Sequence, residues 1–179
     1  MFAISRATVP TDSLLRTYRG GPHPERWDTY VDCFCVDVSA RVSLADFVLA
    51  FYTSPVFRIE RWILRLTIGA PSIDADAKAV AIGTAKTFAA RHVGERTNDQ
   101  LLMCDRYEAA RWWFRVAPLD DGGTLLQFGS GVAVRAKAND EGLTISGGFR
   151  FLVWFHVLYS RLLLWQASRR VTRKRNQHW

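Results

Sequence analysis

His156 occupies the position in this chain that most favours chemistry, because it lies inside a long apolar run. Residues 149–175 read FRFLVWFHVLYSRLLLWQASRRVTRKR, and Tyr159 follows about one turn later. An unpaired polar side chain in such a setting is costly. The ring therefore either hydrogen-bonds a carbonyl or carboxylate in a core, or reaches a pocket where it orients a ligand or acts as acid and base. The sequence leaves both interpretations open.

Other catalytic patterns are incomplete. The stretch FGSGVA contains Gly-Ser-Gly, but it lacks the third glycine of a dinucleotide loop and runs from strand into strand. Ser130 also lacks the G-x-S-x-G spacing of a nucleophile elbow. The two glycines are better explained as bends or close-packing points in a strand.

Metal-ligand spacing is absent as well, so we expect neither a metal nor another cofactor. Neither C-x-x-C nor H-x-x-x-H occurs among the available ligands, which are Cys33, Cys35, Cys104, His23, His92, His156 and His178. Cys33 and Cys35 stand at strand spacing on one face, which is poor geometry for a mutual disulfide. They are expected to be small apolar residues of a strand.

Positive charge is concentrated at one end of the chain. Five of the 24 basic residues lie in the C-terminal tail, namely Arg169, Arg170, Arg173, Lys174 and Arg175. The other 19 nearly balance 17 acidic residues, so no basic recognition face for nucleic acid is visible. The tail either keeps the protein soluble or makes weak contact with an anionic membrane. The N-terminus lacks the apolar segment of a signal peptide, and the cytoplasm is the expected location.

The terminal run is too short for a membrane span. The run from Phe151 to Trp165 is only 15 residues long, and it includes His156 and Arg161. A single helix over 147–170, buried against a sheet, is predicted instead. Its expected buried seam is Phe151, Phe155, Leu158, Leu162 and Trp165.

Upstream, a strand is predicted within 27–39, with Asp32 on the same face as Phe34, Val36 and Val38. Ser43 has the character of an N-cap for a helix over 44–52, and Pro55 opens a second, amphipathic helix. In that second helix the apolar stripe of Val56, Ile59, Ile63 and Leu66 is expected to pack on the core.

The segment from Lys86 to about residue 138 changes to strand patterns. Four alternating stretches are separated by short turn sequences, which is typical of antiparallel hairpins. In RWWFRVAP, the side chains of Trp112, Phe114 and Val116 are predicted to share one face, opposite Trp113.

This order resembles the START-like helix-grip superfamily, also called the polyketide-cyclase and birch-pollen-allergen-like group, and within it bacterial single-domain proteins of unknown function. The resemblance rests on SPVFRIERWILRL, VGERTNDQLLMCD and GGFRFLVWFHVLYSRLLL, and it spans about residues 28–170. It implies an α+β fold in which an antiparallel sheet wraps a long C-terminal helix and leaves an apolar pocket.

The sequence therefore predicts an irregular N-terminal segment (1–27), one START-like domain (28–170) and a basic tail (171–179). The predicted function is binding of a small hydrophobic molecule between the sheet and the terminal helix. An enzyme of cyclase or dehydratase type using His156, and a membrane or protein-interaction module using the basic tail, are the alternatives. The predicted pocket residues are Leu102, Cys104, Trp112, Phe114, Leu126, Phe128, Ser130, Val132, His156 and Tyr159.

Overall fold

The computed structural model describes residues 3–20, 30–106, 110–132 and 147–175. Within these ranges the fold is α+β, as predicted. The strands are β1 (Ser5–Arg6), β2 (Tyr30–Val38), β3 (Thr87–Phe88), β4 (Arg91–Arg96), β5 (Gln100–Asp105), β6 (Ala110–Pro118) and β7 (Thr124–Val132). The helices are α1 (Leu14–Thr17), α2 (Leu44–Tyr52), α3 (Pro55–Ile68), α4 (Asp74–Ile82) and α5 (Gly147–Arg175).

The strands form one antiparallel sheet in the order β1-β2-β7-β6-β5-β4-β3. Phe34 on β2, Phe128 on β7 and Phe114 on β6 stand side by side across the three central strands. They face α2 and α5 and form the centre of the main core. The alternation predicted for β6 is therefore confirmed.

Helices α2 and α3 begin where the sequence predicted, each with a serine cap. The backbone N–H of Asp46 donates to the Ser43 hydroxyl at the start of α2. Ser54 caps α3 in the same way through the N–H of Phe57, and Pro55 occupies the first turn. Such caps pair N–H groups that have no partner inside a helix.

Helix α5 confirms the predicted continuous helix over 147–170 and continues to Arg175. Its buried side is formed by Leu163, Leu164, Ala167 and Val171. The predicted seam is wrong for Leu158 and Leu162, which are 50% and 38% exposed, and its third described member, Trp165, is only partly buried. Phe151 and Phe155 lie outside the described side chains. Strand β2 and helix α2 pack on α5, and this packing selected a different face of a helix that is apolar around most of its circumference.

A second, smaller core lies on the opposite face of the sheet. Leu102 and Cys104 belong to it, together with Trp113 and Cys33, and the N-terminal segment covers it with Val9, Leu14 and Leu15. The segment predicted to be irregular therefore contributes β1 and α1 to the fold.

The placement of Leu102 and Cys104 in a pocket wall is wrong. Leu102 pairs with Trp113, whereas Leu101 and Met103 pair with Phe114 and Trp112 and face the helices. Because both faces of β5 are buried, its residues are apolar on both sides, and bulk alone did not reveal which face is inward.

The side chain of Gln100 on β5 connects α1 to β6 within this second core, and replacing it should destabilise the protein. Its side-chain oxygen accepts from the N–H of Leu14 at 3.0 Å and from the Trp113 indole at 2.7 Å. Gln100→Leu leaves both donors without an acceptor, so we expect the free energy of unfolding to fall by about 1–3 kcal/mol in urea melts. Combined with Trp113→Phe, which removes one of these donors, the loss should be smaller than the sum of the single losses. Simple additivity would contradict this account.

Candidate functional site

An apolar cleft of about 500 Å³ lies between α3 and α5. Helix α3 lines it with Val56, Ile59, Glu60 and Ile63. Helix α5 lines it with His156, Leu158, Tyr159, Ser160, Leu162 and Leu163. Phe51, Trp112 and Phe128 complete the wall from α2 and the sheet. The backbone N–H of Val56 donates to the side-chain oxygen of Gln166 at 3.1 Å and so fixes the start of α3 to α5.

Only the first residue of the apolar stripe of α3 packs on the core as predicted, namely Val56, which also lines the cleft. Ile59 and Ile63 line the cleft and are 59% and 47% exposed, and Leu66 is exposed as well, so the predicted core packing is wrong for these three residues.

The buried residues of α3 are Phe57 and Arg61. Phe57 packs against the rings of Phe51 and Tyr52, and Arg61, one turn later, forms an ion pair with Asp74 of α4.

His156 lies at one end of the cleft, above two buried polar side chains of the sheet. Its Nε2 lies 2.6 Å from the hydroxyl of Ser130, and that hydroxyl lies 2.6 Å from Oδ1 of Asp32. The other oxygen of Asp32 lies 3.5 Å from Nε2. Neighbouring strands position the pair, since Asp32 on β2 is opposite Ser130 on β7. Ser130 is fully buried and Asp32 nearly so, and only the imidazole reaches the cleft.

A second polar group in the cleft centres on Glu60. Arg91 donates to one oxygen of Glu60 at 2.6 Å, and the Tyr159 hydroxyl donates to the other. Burial, followed by the Glu60 carboxylate, raises the pKa of the Tyr159 phenol, so it keeps its proton. The Arg91 guanidinium lies 3.0 Å from the centre of the Trp112 ring. Glu60 is thus fixed by one cation and one hydroxyl.

The predicted pocket residues fall into separate groups. Trp112, Phe128, His156 and Tyr159 line the cleft, and Ser130 supports His156 from below. Phe114 and Leu126 lie deeper in the main core, and Val132 is 37% exposed at the end of β7. These three are not among the residues that line the cleft.

The sequence predictions missed the α3 wall and Asp32. The signals were present: α3 carries an apolar stripe, and Asp32 interrupts the apolar face of β2. The sequence of a helix does not show which neighbour its apolar stripe contacts, and the sequence of one strand does not show which residues lie opposite it in the sheet.

The basic tail makes contacts of its own within the described residues. Arg169 lies over the Trp165 ring at 4.9 Å, and Arg170 donates to the hydroxyl of Thr53 at the end of α2. Val171, between them and the chain end, is buried. No helix in the described part of the chain combines the length and apolar character needed to cross a membrane. In the same residues, no three His, Cys, Asp or Glu side chains are grouped to hold a metal ion.

No protein-family model matches the chain, and no curated protein matches it. Among solved structures, the chain is similar to the crystal structure of CalU16 from Micromonospora echinospora, at 12% sequence identity. The match covers 95% of this chain and 91% of that one, with a TM-score of 0.29.

Proposed function

We propose that this protein binds a small hydrophobic molecule in the cleft between α3 and α5. The observation that supports the proposal is a cleft of about 500 Å³ with a mostly apolar wall. That volume lies in the usual range of small-molecule sites, about 300–1,000 Å³. The large exposed apolar side chains Ile59, Ile63, Leu158 and Leu162 all border this cleft. A bound apolar ligand would remove them from water, which stabilises the complex.

Titration with N-phenyl-1-naphthylamine, an uncharged apolar dye that fluoresces on leaving water, tests the proposal. We expect a saturable rise in fluorescence with the native protein. Leu158→Glu should weaken binding by about tenfold or more, because it places a carboxylate on the apolar wall. Since Leu158 is half exposed, the substitution should cost little stability.

Ile82→Glu is the matched control, because Ile82 is 54% exposed on α4 and does not line the cleft. Its affinity for the dye should equal that of the native protein. Equal affinity of the Leu158→Glu variant, or absence of saturable binding to the native protein, would show that the cleft is not the binding site.

The enzyme alternative depends on His156 alone. Ser130 is completely buried, and so its hydroxyl does not reach a ligand in the cleft as a nucleophile. The imidazole does line the cleft. An acid–base role for His156 therefore stays a prediction, and so does contact between the basic tail and an anionic membrane.

A further inference from the structure

We propose that the exposed side of α3 docks on an anionic phospholipid membrane. The apolar side chains of α3 that lie outside the cleft enter the membrane interface, and the arginines beside them contact the lipid headgroups. This surface is separate from the cleft, where the small hydrophobic molecule is proposed to bind, and from the basic tail.

Exposed apolar side chains are concentrated on α3 in the described part of the chain. Ile59, Trp62, Ile63, Leu66 and Ile68 are all between 47% and 64% exposed. Steps of three and four residues connect the first four, so they form one stripe along the helix. A ligand in the cleft covers only part of this stripe, because Trp62 and Leu66 do not line the cleft. These two side chains therefore need another surface to remove them from water.

The charges beside the stripe favour an anionic partner. Arg58 and Arg65 are exposed and lie about one helical turn before and after Trp62, on the same side of α3. Asp74 of α4 forms ion pairs with both Arg58 and Arg61, so one carboxylate offsets only one of these two positive charges. The stripe is thus bordered by net positive charge.

Acidic residues on the two helices of the cleft do not oppose this attraction. By sequence, Glu60 is the one acidic residue of α3, and its side chain is 20% exposed and paired with Arg91. Helix α5 contains seven basic residues and, by sequence, no Asp or Glu. An exposed apolar stripe that includes Trp and is bordered by Arg is typical of helices that lie in the membrane interface. A lipid surface with negative charge therefore matches both the apolar and the charged part of this helix.

Co-sedimentation with lipid vesicles tests this contact. We expect native protein to bind vesicles of phosphatidylcholine and phosphatidylserine (about 7:3) at least about tenfold more tightly than phosphatidylcholine vesicles, because each arginine gains from the negative surface potential. Leu66→Glu should weaken binding to the anionic vesicles by about tenfold or more, because it places a carboxylate in the apolar contact. Leu66 is 64% exposed, so the substitution should cost little stability.

Ile82→Glu is the matched control, because it adds the same charge at an apolar residue that is 54% exposed on a different helix, α4. Its affinity for the anionic vesicles should stay within about twofold of that of the native protein. Trp62→Phe locates the contact, since brominated phosphatidylcholine in the same vesicles quenches tryptophans that enter the bilayer. We expect this variant to bind the vesicles and to be quenched less than the native protein. The quenching difference tests the contact even if Leu66→Glu does not fold.

Membrane docking by α3 is excluded if native protein does not bind the anionic vesicles or binds both compositions equally. It is also excluded if Leu66→Glu binds as tightly as native protein, the result expected when the basic tail alone makes the contact. Equal losses for Leu66→Glu and Ile82→Glu, or equal quenching of native protein and Trp62→Phe, would exclude it as well. In sedimentation velocity without lipid we expect a monomer, and a dimer that Leu66→Glu dissociates would show that a second copy of this chain covers the stripe instead. Dye binding in the cleft is measured separately, so the proposed function stands in each of these cases.

Discussion

Phe51→Ala is expected to lower the free energy of unfolding by about 3–5 kcal/mol, because it removes a ring from the centre of the main core. Phe51 is fully buried. Its ring centre lies 4.7 Å from that of Phe128 and 4.9 Å from that of Phe114, so it joins α2 to the middle of the sheet. Alanine would leave a cavity between helix and sheet that rigid strands cannot close.

Urea unfolding followed by circular dichroism measures this loss. Trp62→Ala is the control, since it also truncates an aromatic residue of a helix, but one that is 62% exposed. We expect the control to change stability by about 0.5 kcal/mol or less. Similar losses of stability for the two variants would mean that the packing of Phe51 against Phe114 and Phe128 does not stabilise the core.

Arg91→Met should cost about 3 kcal/mol or more, because it breaks a largely buried ion pair and leaves Glu60 without its cation. The side chains of Arg91 and Glu60 are only 10% and 20% exposed. Arg91 also stacks on Trp112, so the substitution removes a cation–π contact at the cleft wall. Burial lowers the pKa of Arg91, and the Glu60 carboxylate opposes that shift.

Thermal and urea melts of Arg91→Met, Glu60→Gln and the double variant measure the pair. We expect the double variant to be more stable than Arg91→Met alone, because glutamine leaves no charge without a partner. Arg58→Met is the control: its ion pair with Asp74 is 55% and 47% exposed, and such pairs contribute little. A double variant less stable than Arg91→Met would show that charge pairing is not what Arg91 supplies.

Local chemistry determined much of the fold from sequence alone. Ser43 and the Ser54–Pro55 pair start their helices because caps act within a few residues. The alternation in β6 predicted its two faces because only its inner face is continuously apolar, with Trp112, Phe114 and Val116. The continuous α5 followed from an apolar run without proline or an internal glycine beyond Gly148.

The tertiary structure decided which apolar residues of the strands and helices are buried and what they contact. Both faces of β5 are buried, so its own sequence does not show which residues face the helices. The pairing with β6 places Leu102 and Cys104 in the second core, on the opposite face of the sheet. On α3 the buried side is formed by Phe57 and Arg61, so Ile59 and Ile63 of its apolar stripe line the cleft and are not buried in the core.

The environment of His156 also depended on long-range pairing. The sequence indicated that this ring needs a polar partner, because a buried polar group without a hydrogen bond is costly. Its partners, Ser130 and Asp32, lie 26 and 124 positions earlier in the chain, and only the pairing of β2 with β7 places them together. The local sequence shows that His156 needs a polar partner, whereas the pairing of strands in the sheet determines which residues provide it.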